Sequence, residues 1–233
     1  MNKYEHHFHD WKGGLYACYA FRQNPAPDEE ELAKNDIRIQ KLLSEMLAIA
    51  RKESRIKATF SHPQPVFTLI GDAVSISSDK LNLTVTFGIF NGKFYLEASF
   101  NHPEHMGKVD DDFWCNLARL SKLGELEFQE HASPETKLFL TLQKRHRATK
   151  SAILKVIQHY IICTDDDSFN DGSLEISWEI NTPFHDLLGY MSEAFCCLYN
   201  MNYQLYRRDY IIQKSRIKRQ KNSKKSIKYI NKG

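Results

Sequence analysis

The residues with the clearest capacity to bind a ligand lie near the end of the chain. Between Arg207 and Gly233 there are eleven Lys or Arg residues and one Asp, a net charge of +10, which leaves −7 on the preceding 206 residues. Clustered cations of this kind neutralise phosphates, and a nearby ring such as Tyr229 can stack on a base. The predicted nucleic-acid-binding set is Lys214, Arg216, Lys218, Arg219, Lys221, Lys224, Lys225 and Lys228.

The alternative interpretation of this basic segment is a solvated extension that keeps the protein soluble or touches acidic surfaces. The sequence favours neither interpretation over the other. No base-reading element is recognisable in the sequence, so contact with nucleic acid is expected to involve the phosphate backbone and to be independent of base sequence.

Histidines and acids elsewhere in the chain do not form a complete metal site. His6, His7 and His9 are potential ligands, but a closed site needs about four, and no neighbouring Cys or His supplies the rest. His102 and His105 are separated by Pro103, which argues against one regular helical face. The acidic run at 165–172 has Phe169 where an EF-hand needs an oxygen ligand. We predict neither a bound metal nor a cofactor.

Recognised catalytic motifs are missing from the sequence. It contains no nucleophile elbow, phosphate-binding glycine loop, dinucleotide fingerprint, zincin motif or paired CxxC units. Arg55 and His62 have the spacing of a ribonuclease-like pair, but they fall on a predicted strand and loop. A binding protein is therefore expected rather than an enzyme. A metal-assisted hydrolase that uses the N-terminal histidines is a minor alternative.

The composition favours a soluble cytoplasmic protein. The five cysteines are scattered and odd in number, and the polar N-terminus lacks the features of a secretory signal. No apolar run approaches the ~18 to 20 residues that a membrane-spanning helix requires. We expect no membrane association.

The scaffold for these residues is most clearly specified between Lys80 and Phe100. Apolar residues recur at every second position from Leu81 to Ile89, and again from Phe94 to Phe100. Asn91-Gly92 lies between the two runs and favours a two-residue type I′ turn, so the stretch predicts an antiparallel hairpin. Further strands are predicted at 11–21, 56–60, 66–70, 74–77, 126–128, 138–142 and 174–180.

Helices are predicted at 28–53, 110–123, 149–163 and from 183 to about 214. Apolar residues of the last helix follow steps of four and three, which places them along one seam. The predicted protein-interface residues on this seam are Phe184, Leu188, Met191, Phe195, Leu198 and Leu205. Because Asn202 and Asp209 interrupt the seam, we favour docking on the same chain over a dimeric coiled coil.

These elements predict an α+β fold, in which an antiparallel sheet is packed by helices on one side. The predicted organisation is an α+β domain at 1–180, a long amphipathic helix at 181–213 and a basic, disordered tail at 214–233. The tail has too few apolar residues to bury a core.

The order of elements from about residue 28 to 163 resembles the YbjN-like and type III secretion chaperone fold. The segment FWCNLARLSKLGELEFQEHASPETKLFLTLQKR carries this resemblance, since those families also pass from a helix through a Gly-ended turn into two strands and a closing helix. The chain departs from the secretion chaperones in its size, its lack of overall acidity, its added strand and its long basic end. The resemblance implies a non-catalytic protein-binding module, chaperone-, adaptor- or immunity-like, that can pair as a homodimer.

Overall fold

The computed structural model describes residues 28–67, 72–90, 92–100, 105, 109–130, 151, 153, 156–157 and 172–230. The helices in these ranges are α1 (Glu29–Glu53), α2 (Asp111–Leu120) and α3 (Phe184–Ile230). The strands are β1 (Gln64–Phe67), β2 (Asp72–Ser78), β3 (Leu83–Phe90), β4 (Lys93–Ser99), β5 (Glu125–Glu130) and β6 (Gly172–Glu179).

The six strands form one sheet in the order β1-β2-β3-β4-β6-β5, and every neighbouring pair is antiparallel. The predicted hairpin is present as β3 and β4. Phe90 pairs with Lys93 across the two-residue turn, in which Gly92 has a φ of 72°. A positive φ at this position is the conformation that an Asn-Gly turn supplies at low cost.

One face of the sheet carries the alternating apolar side chains and is covered by the helices. Phe87 and Phe94 are fully buried there, with ring centroids 5.7 Å apart. Helix α1 contacts β2 and β3, whereas α3 contacts β4 and β6 as well as both other helices. The predicted α+β class is confirmed.

Helix α1 begins and ends as its sequence predicts. The Asp28 carboxylate accepts a hydrogen bond from the Glu30 amide at 3.1 Å, which caps the first turn. After Ser54, Arg55 adopts a φ of 59° and turns the chain out of the helix.

The chain after this turn differs from the prediction, because residues 56–60 do not form a strand. Phe60 instead points into the core, where its ring centroid lies 5.4 Å from that of Phe195. Ile56 and Ala58 also pack partly buried against the core, so the apolar residues of this segment reflect burial rather than pairing with the sheet.

The seam of α3 is buried within the chain. Leu188, Met191, Phe195, Leu198 and Leu205 are all buried, and Phe184 packs partly buried against the same core. An interface with a second protein would require these side chains to be accessible, so the predicted interface along this seam is wrong. Docking on the same chain, the favoured alternative, is what the structure shows.

Helix α3 is also longer than predicted, because it continues through the basic segment to Ile230 instead of ending near residue 213. Residues 214–230 contain neither Gly nor Pro, and eight of them are Lys or Arg, which have good helix propensity. Extending an existing helix avoids the cost of nucleation, so this segment needs no buried face to be helical.

Several predicted features lie outside the described residues. These are the N-terminal histidines, the strands predicted at 11–21 and 138–142, and the acidic run before Gly172. Within the segment predicted as a helix at 149–163, the described residues 153, 156 and 157 are helical, and Val156 is buried.

The helix predicted at 110–123 would make Gly124 its stop, but the structure gives this glycine a different role. Helix α2 ends at Leu120, with Ser121 as its C-terminal cap. A Cβ atom on Gly124 would lie 2.6 Å from the Ser177 carbonyl oxygen and 2.7 Å from Nε1 of Trp178. The same Trp178 Nε1 donates a hydrogen bond to the Leu123 carbonyl at 2.7 Å, so glycine allows β5 to enter the sheet against this indole.

We therefore expect Gly124→Ala to destabilise the fold by about 1–3 kcal/mol, because backbone and indole must both shift. Gly189→Ala is the matched control, since the helical Gly189 has no neighbour within 4 Å of an added Cβ. This control should be stabilising by about 0.5–1 kcal/mol. Urea unfolding followed by circular dichroism measures both, and a Gly124→Ala variant as stable as the parent would contradict the close approach.

Candidate functional site

The exposed end of α3 carries the predicted nucleic-acid-binding residues. Lys214, Arg216, Lys218 and Arg219 are exposed to solvent. The other members of the set, Lys221, Lys224, Lys225 and Lys228, belong to the following turns of the same helix. The structure thus brings the predicted cations together on one continuous element, which we call the basic end of α3.

Four tyrosines precede the basic end on α3. Tyr199, Tyr203, Tyr206 and Tyr210 follow steps of four, three and four residues and so share one helix face. Successive ring centroids are 5.9, 6.5 and 6.4 Å apart. We call these four residues the tyrosine ladder. Tyr203 and Tyr210 are 41% and 51% exposed, so the ladder presents aromatic surface to solvent.

The tyrosine ladder continues directly into the basic end. Nζ of Lys214 lies 5.7 Å from the centroid of the Tyr210 ring, within the range of a cation–π contact. Positions 217, 221, 224 and 228 continue the same helical spacing. The aromatic face of α3 therefore leads to a cation at Lys214, and the later positions with the same spacing are mostly lysine in the sequence.

At its other end the ladder borders a groove of about 620 Å³. Residues 57–61 form one wall and 77–81 the other, while Tyr199 and Tyr203 close one side. The Ser61 amide donates to the Ser77 carbonyl at 2.8 Å, and the Ser77 amide donates to Ser61 Oγ at 3.0 Å, so the walls are held together. Burial, and to a lesser extent Tyr203, raises the pKa of Tyr199, so the Tyr199 hydroxyl remains a neutral donor at physiological pH.

A buried polar contact fixes the point where α3 leaves the body. His105 Nε2 lies 3.4 Å from Oδ1 of Asp209, and both side chains are largely buried. Oδ2 of Asp209 accepts a hydrogen bond from Gln213 at 2.6 Å. In the sequence, Pro103 argues against a site at His105, and Asp209 interrupts the apolar seam. The contact between the two side chains depends on the fold and has no local sequence signal.

The other face of the sheet is strongly acidic. Glu97, Glu175 and Glu127 lie directly opposite one another on β4, β6 and β5. Burial raises the pKa of Glu175, and Glu97 and Glu127 add to the shift. Burial likewise raises the pKa of Tyr95 to about 12, with smaller contributions from Glu97, Glu175 and Asp72. This face repels phosphates.

Within the described part of the chain, no group of three or more His, Cys, Asp and Glu residues is placed to hold a metal ion. Burial raises the pKa of the Cys197 thiol to about 11, so this cysteine is a poor nucleophile at neutral pH. None of the described helices has the length and apolarity needed to span a bilayer.

No protein-family model matches this chain, and no curated protein or solved structure is significantly similar to it. The resemblance to YbjN-like proteins and secretion chaperones therefore stays a prediction.

The glutamates that lie opposite one another on β4, β6 and β5 lead to a prediction about the stability of the fold. Because the pKa of Glu175 is raised in the folded protein, ionisation of this carboxyl above its folded pKa opposes folding. Glu175→Gln should therefore stabilise the protein at pH 7 by about 0.5–1 kcal/mol. The gain should disappear below about pH 4, where the carboxyl of the parent is protonated.

Thermal unfolding at a series of pH values measures this effect. Glu125→Gln is the control, because Glu125 lies on the neighbouring strand and pairs with Lys93 at 2.6 Å. That substitution should be neutral or slightly destabilising at pH 7, since exposed ion pairs contribute about 0–1 kcal/mol. A pH-independent effect of Glu175→Gln would show that ionisation of Glu175 is not the cause of the change in stability.

Proposed function

We propose that this protein associates with nucleic acid, and that it binds the phosphate backbone through the basic end of α3. The observation that carries the proposal is the projection of exposed cations, on one helix, from a body of opposite net charge. Lys214, Arg216, Lys218 and Arg219 are all exposed in this projection. Phosphates would reach them without displacing any packed element.

The charge distribution supports binding through the basic end. The 206 residues before Arg207 carry −7 and the 27 residues from Arg207 onward carry +10. Phosphates are attracted to the basic end and repelled by the glutamates of the other sheet face. The field of the whole protein therefore orients a polyanion toward α3.

The arrangement of the cations favours binding that is independent of base sequence. Lys214 and Lys218 are one turn apart on one face, whereas Arg216 and Arg219 lie on other faces of the helix. Cations that surround a helix contact phosphates on several sides and do not present a fixed pattern to base edges. Affinity should therefore depend strongly on salt and weakly on sequence.

We expect the quadruple variant Lys214→Gln, Arg216→Gln, Lys218→Gln and Arg219→Gln to bind DNA and RNA more weakly. If all four cations contact phosphates, the slope of log affinity against log salt should fall by about 3–4, because each neutralised phosphate contributes roughly 0.7–0.9. Fluorescence anisotropy with labelled oligonucleotides at several salt concentrations measures the slope.

The matched control removes the same charge from the body, by Arg38→Gln, Lys41→Gln, Lys52→Gln and Lys122→Gln. All four residues are exposed and lie on α1 or after α2. The control should leave the salt slope close to that of the parent. Equal losses in the two variants would show that net charge, and not the basic end, accounts for binding.

The second candidate function is the protein-binding module that the chaperone resemblance implies. Two exposed apolar residues of the projecting helix favour it, since Ile211 and Ile217 are 49% and 52% exposed among charged neighbours. A protein partner would cover them. This candidate includes pairing with a second copy of the chain.

Affinity capture from the native host, with the parent and with an Ile211→Ser, Ile217→Ser variant, tests this candidate. Recovery of a stoichiometric partner by the parent alone would support it. Analytical ultracentrifugation of the same two proteins reports on the homodimer, and a monomer together with the failure to capture any partner would count against the module.

A further inference from the structure

We infer that the groove beside the tyrosine ladder is a subsite for an unpaired base of single-stranded DNA or RNA, whose backbone extends along α3 to the basic end. This inference rests on the proposed function, since it assigns a substrate class to the same nucleic-acid-binding protein. It goes further in predicting a preference for single strands over duplexes.

The groove has an aromatic side that is fixed by the core. The Phe60 ring is buried and lies 5.4 Å from Phe195 and 6.4 Å from Tyr199. Tyr199 in turn lies 5.9 Å from Tyr203, with the two ring planes inclined by only 13°. Tyr203 is therefore held in place by a stack of rings that begins in the core, while its own surface is 41% exposed.

The rim of the groove has the chemistry that a nucleotide needs. Lys57 and Lys80 are exposed on opposite walls and are suited to phosphate. Ser61 and Asp79 supply hydroxyl and carboxylate oxygens that can accept hydrogen bonds from the edge of a base. A planar ring at Tyr203 with cations at the rim matches a base joined to its phosphate better than it matches an apolar peptide side chain.

The ladder connects this subsite to the basic end. From position 203 to Lys214 the helix rises about 16 Å, and the face between them carries Tyr206 and Tyr210. Lys214 stands over the Tyr210 ring, so stacking surface and cation meet at the end of the ladder. A single strand that follows this face would encounter rings first and lysines afterwards.

The groove distinguishes single strands from duplexes, because the faces of the bases are accessible only in the single strand. In a duplex the faces of the bases are stacked on one another, so a duplex can contact the cations but not the tyrosine faces. An unpaired base can stack on Tyr203, and such contacts contribute about 1–3 kcal/mol per base. The structure thus predicts added affinity for the single strand alone.

The test compares a labelled oligothymidylate of about 15 nucleotides with a duplex of the same length, by fluorescence anisotropy at low salt with the full chain. Tyr203→Leu removes the aromatic face from an exposed position and should weaken single-strand binding about fivefold or more, while duplex binding changes little. Tyr203→Phe should retain the parent affinity, because stacking requires the ring and not the hydroxyl.

Tyr190→Leu is the control, because Tyr190 is an exposed tyrosine of α3 that is not part of the ladder. It should bind both oligonucleotides as the parent does. As a second measurement, ultraviolet crosslinking to the oligothymidylate, followed by mass spectrometry, should modify peptides that contain Tyr203 or residues 77–81.

The possible failures are distinguishable. If neither oligonucleotide binds the parent, the proposed function fails and the subsite falls with it. If the quadruple Gln variant loses binding but Tyr203→Leu retains single-strand affinity, the cations bind phosphate and only the base subsite is overturned. Equal losses for single strand and duplex in Tyr203→Leu, or crosslinks confined to the basic end, would also overturn it.

Discussion

The burial of one face of α3 against the sheet is the constraint on which the rest of the structure depends. Met191, Phe195, Leu198, Met201 and Leu205 are at most 1% exposed. Burying each such side chain contributes about 1.5–3 kcal/mol, so this contact holds the helix at a fixed position over β4 and β6. The orientation of everything that follows on α3, including the tyrosines and the lysines, is set by this packing.

Polar residues along the same face show how the helix changes from core element to projection. Asn202 is 2% exposed and donates a hydrogen bond to the Leu198 carbonyl at 3.1 Å, so its amide is accommodated inside the fold. Asp209, two turns later, contacts His105 and Gln213. Arg119 of α2 also binds Glu193 of α3, which adds a surface contact between the two helices. After Asp209 the side chains of α3 are nearly all exposed up to residue 220.

Local signals in the sequence were sufficient for the parts of the fold that depend on neighbouring residues. The Asn91-Gly92 turn with its flanking alternation predicted β3 and β4, and the helix predicted at 28–53 is present as α1. Features that depend on distant contacts were missed: Phe60 fills the core beside Phe195 instead of joining a strand. The sequence predicts an end of α3 near residue 213 because the basic segment lacks an apolar face, but this segment only has to extend a helix that is already formed.

Part of the candidate site was predictable, because that part depends on residues that are close together in the sequence. The cations were evident from composition alone. The tyrosine ladder has a helical spacing that is visible in the sequence. The apolar seam on the same helix is the stronger pattern, so the sequence indicates packing more clearly than it indicates the ladder. The groove could not be predicted, since its walls come from residues 57–61 and 77–81 and meet α3 only in the folded chain.

Cations and rings have complementary weaknesses as binding groups, which makes their placement on one helix significant. Lysines alone bind any polyanion, whereas stacking on a tyrosine contributes only about 1–3 kcal/mol, too little for stable binding by itself. Positions 203 and 228 are about 37 Å apart along the axis of α3 and belong to one helix. A strand held by the lysines would be at high effective concentration near the rings, so each group adds what the other lacks. The buried part of α3 fixes the position of the tyrosines and of the helix that carries the lysines. The packing of the core therefore supports the proposed preference for single strands.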